Sequence, residues 1–284
     1  MNIPKYWIKE SQDLADVSGR PFLAQCWGWS NISNGEARKR ARDAIEEITR
    51  KIRNNERLDR YSYGKRPLRE EIVESITNGK NKLVAVITRN GYGALILNTT
   101  RVMFVDIDFE PEGLIEKMTF SIRKLLGQPI LAQQDKHIQR LNLWMRANPR
   151  WEMCVYRTKA GLRCLVTHDT FDPSLTSTIE VLESLGADPL YVTLCKNQES
   201  FRARLTPKPW RCGLGNPPNR YPWDSEPEEQ KFRRWEEGYQ HAISSFTTCQ
   251  LISEVSQIRQ HPEVTMIKAL HDRYACINDN FRLA

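Results

Sequence analysis

The sequence predicts an α+β fold. Runs of β-branched and aromatic residues arrive in pairs around turn signals, while apolar residues at helical spacing fill separate stretches. Through residue 109 the order is strand, helix, helix, strand, strand, strand, which is not the regular alternation of a parallel α/β sheet.

The elements follow in order. Residues 5–30 read as one or two strands, Tyr6-Trp7-Ile8-Lys9 and the run from Phe22 to Trp29. Ser33-Asn34-Gly35-Glu36 is a capping box, and Ala37, Ala41, Ile45, Ile48 and Ile52 continue at helical spacing. The opposite face is rich in Arg and Lys, as a solvated face or a phosphate contact would be. Arg57, Arg60, Tyr61, Tyr63, Lys65, Arg66 and Arg69 interleave charge with rings, which suits nucleic acid or a plain surface loop. Pro67 is placed to open a helix over 67–76. Residues 83–88 and 94–97 form a hairpin about Asn90-Gly91-Tyr92-Gly93.

Helices are expected over 112–126 and 135–147, the second with Ile138, Leu141, Trp144 and Met145 on one side. Residues 152–156 and 162–167 read as strands joined by Arg157-Thr158-Lys159-Ala160-Gly161. A helix over 174–185 meets Gly186, placed to end it. Residues 187–215 are polar, basic and punctuated by Pro, and 216–227 form a Pro-rich linker or surface loop. From Glu228 the tail is helical, with Phe232, Trp235, Tyr239 and Ile243 in register. This divides the chain into an N-terminal α/β lobe (1–82), a metal- and nucleotide-binding core (83–215) and a C-terminal helical segment (228–284).

At 284 residues, 40% apolar and 27% charged, the composition is that of a globular domain with a sizeable core. No run approaches a membrane span, and the N-terminus lacks the apolar stretch of a signal peptide, so a cytoplasmic protein with no membrane partner is expected. The seven cysteines are scattered without a Cys-x-x-Cys pair, which argues against zinc and against a disulfide framework. A net charge of +7 favours an anionic partner.

The chemistry centres on Arg101-Val102-Met103-Phe104-Val105-Asp106-Ile107-Asp108-Phe109. On a strand, Asp106 and Asp108 share one face. Two like charges among apolar neighbours are costly, and a hard divalent cation, Mg²⁺ or Mn²⁺, removes that cost. A solvated strand end or a cap for the following helix is the alternative. In the turn before the next strand, Thr158 and Lys159, with Arg163 beyond Gly161, could cradle phosphate or form an ordinary hairpin. Further on, Arg202 and Arg204 share a face if the segment is extended, with Lys208 nearby. Asp188 could add a third carboxylate or simply form a turn before Pro189.

The order of these parts resembles the archaeo-eukaryotic primase, or primase-polymerase, superfamily. Asp106 and Asp108 match its Asp-x-Asp strand. Thr158-Lys159-Ala160-Gly161-Leu162-Arg163 stands at its glycine-bearing basic motif, with Arg163 where family members usually carry a His. Asp188 and Arg202-Ala203-Arg204-Leu205-Thr206-Pro207-Lys208 stand at its third acidic and basic motifs. The resemblance covers about residues 83–213. It implies a mixed sheet with an RRM-like core and flanking helices. It also implies a nucleotidyltransferase acting on DNA or RNA, with Asp106, Asp108 and Asp188 holding Mg²⁺ or Mn²⁺. Thr158, Lys159, Arg163, Arg202, Arg204 and Lys208 would then bind nucleotide. A non-catalytic nucleic-acid-binding protein on the same scaffold, or a metal-dependent nuclease, are the other readings.

Overall fold

A computed structural model describes residues 1–56, 66–109, 133–254, 260–278 and 280–284. The helix expected over 112–126 and most of the basic-aromatic segment, from Arg57 to Lys65, lie outside them. The fold is α+β.

The chain opens with a ten-residue antiparallel hairpin, β1 (Tyr6–Ala15) and β2 (Pro21–Ser30). Helix α1 (Asn34–Arg53) packs on one face of it through Ala37, Ala41 and Ile45. Half of the capping box forms: Ser33 Oγ accepts from the Glu36 N–H at 3.2 Å, while the Glu36 carboxylate turns to Ser30 Oγ at 2.6 Å. The approach depends on Gly28, where a Cβ would lie 1.9 Å from the Ala37 carbonyl oxygen.

Two four-stranded sheets follow, each antiparallel. The first has the order β3 (Glu71–Thr77), β4 (Leu83–Arg89), β5 (Leu95–Thr99), β9 (Phe201–Arg204). The second runs β11 (Cys249–Glu254), β7 (Met153–Thr158), β8 (Gly161–Val166), β6 (Phe104–Asp108). Among the described residues, parallel pairing occurs between β10 (Phe246–Thr247) and β12 (Arg282–Leu283). The helices are α2 (Gln133–Ala147), α3 (Thr176–Ser184), α4 (Pro189–Gln198), α5 (Glu226–Ile243) and α6 (Pro262–Ala275), with a 3₁₀ turn at Pro209–Cys212. One apolar core joins both sheets to α6, running from Ala85 and Leu97 through Phe104, Tyr156 and Leu165 to Val264 and Ile267.

Three expectations are corrected. The helix over 67–76 is instead an extended lead into strand β3. Ile72, Val73, Ile76 and Thr77 are β-branched, and β4 offers a free edge to pair with. The turn offered for Asp188 before Pro189 is instead the start of helix α4. Pro189 suits the first turn of α4, and the Asp188 carboxylate caps it by accepting from the Tyr191 N–H at 2.8 Å. The tail is not wholly helical either, since β11 pairs with β7 in the second sheet. All seven cysteines are free, and Cys154 and Cys164 lie buried on β7 and β8. Among the described residues no helix is long and apolar enough to cross a membrane.

Candidate active-site cleft

Strand β6 ends with Asp106 and Asp108 on one face, opposite Arg163 and Gly161 of β8 in the antiparallel register. Cross-strand partners project to the same side. Arg163 therefore meets Asp106 in a two-pronged pair, Nε to Oδ1 at 2.8 Å and Nη2 to Oδ2 at 3.3 Å. Gly161 allows β6 itself to come close, since a Cβ there would lie 2.0 Å from the Ile107 carbonyl oxygen. That contact, rather than close approach of a ligand, accounts for the glycine.

Arg163 is fully buried and sits at the centre of a network. Its Nη1 donates to the Arg204 carbonyl at 2.8 Å and faces His271 Nε2 at 3.4 Å. A guanidinium only donates, so Nε2 must accept, which places the His271 proton on Nδ1, 2.9 Å from Asp272. Burial lowers the His271 pKa, and the Arg163 charge adds to this against the pull of Asp272. Burial works to raise the Asp272 carboxyl, but hydrogen bonds from His271 and Lys268 outweigh it and hold it low. The line Asp272–His271–Arg163–Asp106 thus connects α6 to the end of β6. His271 lies on the buried stripe of α6 with Val264 and Ile267, a spacing that marks core rather than a functional group.

Asp188 reaches the same place through its backbone, whose N–H donates to the Asp106 carbonyl at 2.9 Å. Tyr191 fixes α4 to β6 by donating its hydroxyl to the Phe104 carbonyl at 2.6 Å. Asp106, Asp108 and Asp188 all line one cleft of about 640 Å³. Asp108 is solvent-exposed at the end of β6, yet partial burial of its carboxylate raises its pKa, and the Asp106 and Asp188 charges raise it further. Among the described residues no hydrogen bond or ion pair engages the Asp108 carboxylate.

The basic residues separate into two groups. Arg202 is buried and committed: Nη2 pairs with Glu70 at 2.7 Å and Nη1 meets Gln198 at 2.5 Å. Glu70 in turn accepts from Thr88 Oγ1. Arg204 lines the cleft, and its Nε is buried without a hydrogen-bond partner. Lys208 and Arg211 stand near enough to feel its charge but do not themselves line the cleft. Burial lowers the pKa of all three, and mutual repulsion lowers Lys208 and Arg211 further through Arg204. Among the described residues none of the three makes an ion pair. Trp210 is half-exposed, with Lys208 over its ring at 5.5 Å and Tyr92 edge-on at 5.3 Å. Thr158 is buried at the end of β7 and Lys159 is exposed in the turn; neither lines the cleft.

The fit of a hard cation can be judged from the donors. Among the described residues nothing engages Asp108 or one oxygen of Asp188, and all three donors are carboxylates, as Mg²⁺ or Mn²⁺ prefers. The three are not drawn together as a finished cage. Among the described residues the group with donor atoms within 4.8 Å of one another is His271, Asp272 and Cys276, whose Asp272 is already paired with Lys268 at 2.9 Å.

The chain matches no family model, and no curated protein or solved structure shows significant similarity to it.

Proposed function

We propose that this protein is a divalent-metal-dependent nucleotidyltransferase of the primase-polymerase type, acting on nucleic acid. The observation that carries the reading is a pair of unmet electrostatic demands around one cleft. Burial and two neighbouring carboxylates hold Asp108 above its ordinary pKa, only partly offset by Lys208 and Arg204. Burial and repulsion from neighbouring cations hold Arg204, Lys208 and Arg211 below theirs, and among the described residues none of them makes an ion pair. A metal–polyphosphate satisfies both at once, since its cation relieves the aspartates and its phosphates relieve the cations.

Asp108 and Asp188 would hold the ion, with Asp106 oriented by Arg163. A bound Mg²⁺ or Mn²⁺ would supply activation of an attacking 3′-hydroxyl and neutralisation of the pyrophosphate leaving group. Arg204 and Lys208 would bind the phosphates, with Arg211 adding to their field. Arg202 and Thr158 would act as framework rather than as ligand contacts, and Lys159 would remain outside the cleft.

One observation favours a non-catalytic, strand-binding protein on the same scaffold: both oxygens of Asp106 are engaged by Arg163, which stands where the resembling family usually has a His. Calorimetry with Mn²⁺ and Mg²⁺ decides the matter. The expected result is micromolar to millimolar binding, lost in Asp106→Ala/Asp108→Ala with the fold intact, and primer extension by the wild type. Binding with strand cleavage instead of extension would make the protein a nuclease. No binding by the wild type, with or without nucleotide, would leave only the strand-binding account.

A further inference from the structure

The β1–β2 hairpin has two faces of different character. On β2, Ala24, Cys26, Gly28 and Ser30 are buried, and Gly28 meets α1 directly. Glu10, opposite Cys26, reaches the same side and pairs with Arg38 of α1 at 3.0 Å. The alternate residues Gln25, Trp27 and Trp29 line the cleft, together with Trp7 opposite Trp29. Large rings on a strand usually fill a core. Here Trp27 and Trp29 stay partly exposed, facing a cavity whose lining also includes the three aspartates and Arg204.

Cations surround these rings. Arg69 lies 4.7 Å and Lys9 5.6 Å from the centre of Trp27, while Arg40 and Arg66 each lie 5.9 Å from that of Trp29. Lys9 and Arg40 also pair with Asp224 and Glu36. Rings with cations set against them provide what an unpaired strand needs: flat surfaces for bases and positive charge for the backbone.

We propose that the cleft-facing side of this hairpin binds the bases of a single nucleic-acid strand, through Trp27 and Trp29, and leads it to the carboxylates. Duplex does not suit the surface, because paired bases present no free faces to stack. The inference deepens the transferase reading and rests on it for the meaning of the strand's position. Its binding test is independent.

The test titrates short labelled oligothymidylate and oligouridylate, without metal or nucleotide, into three proteins: wild type, Trp27→Ala/Trp29→Ala and Trp27→Phe/Trp29→Phe. Binding is followed by anisotropy and folding by circular dichroism. Affinity is expected to fall about tenfold for each ring removed. Phe should restore most of it, and Mn²⁺ affinity should not change. Equal affinity of the folded Ala variant, or preference of the wild type for duplex, would overturn the proposal. So would an Ala variant that loses Mn²⁺–ATP binding but keeps the strand, since the rings would then hold the nucleobase of the nucleotide. Ring-dependent strand binding by a protein that binds no metal would sink the transferase reading and uphold this one.

Discussion

Asp108 shows how a crowded carboxylate weakens the fold that carries it. Its pKa is raised above 3.8, first by burial and then by Asp106 and Asp188. The folded state therefore binds this proton more readily than the unfolded chain, so metal-free stability falls as pH rises through the folded pKa. Asp108→Asn removes that loss. Scanning calorimetry of metal-free protein should show the variant melting above wild type at about pH 7, with the gap closing near the ordinary carboxylate range. A variant no more stable than wild type at neutral pH would show that the charge costs nothing. Arg163 is the reverse case. Burial works against its charge, yet Asp106 raises its pKa overall. Arg163→Met should cost about 3 kcal/mol in urea unfolding, the lower end for breaking a buried pair because Asp106 keeps some access to water. The common face of Asp106 and Asp108 was readable from strand period alone. The clamp by Arg163 was not, because it depends on the β6–β8 register.

Strands and helices differ in how much of their placement was written locally. Helix α1 was legible because Ala37, Ala41 and Ile45 recur at its period and Ser33 caps it. Residues 67–76 misled because Pro67 suits a helix start, while the β-branched residues after it gain more from pairing with β4. The small residues at the α1–hairpin contact explain why two such elements meet so closely. Gly28→Val should lower stability by about 1–3 kcal/mol by forcing α1 off the Ala37 contact. A urea midpoint equal to wild type would mean the contact is slack. The same hairpin bears the cleft rings, so the proposed strand binding should weaken with it.

The chain closes on itself through its last third. Strand β11 completes the sheet that carries Asp106, and α6 sets His271 behind Arg163. Truncation before Cys249 should therefore leave no cooperative thermal transition, because it strips Val264 and Ile267 from the core and exposes an edge of β7. A truncated chain that melts as sharply as the full one would show the tail to be an accessory. The sequence by itself determined the α+β class, most strand and helix positions, and the shared face of the two aspartates, since these follow from periods of 2 and 3.6 residues. Only the tertiary structure decided that Arg163 grips Asp106, that Asp188 arrives through a backbone hydrogen bond, and that Arg202 is spent on Glu70 while Arg204 is left open. It also decided that the tryptophans of the first hairpin line the same cleft as the carboxylates. Charges balance by distance in space, and the partners here are joined by strand register and loop closure, which local spacing does not encode.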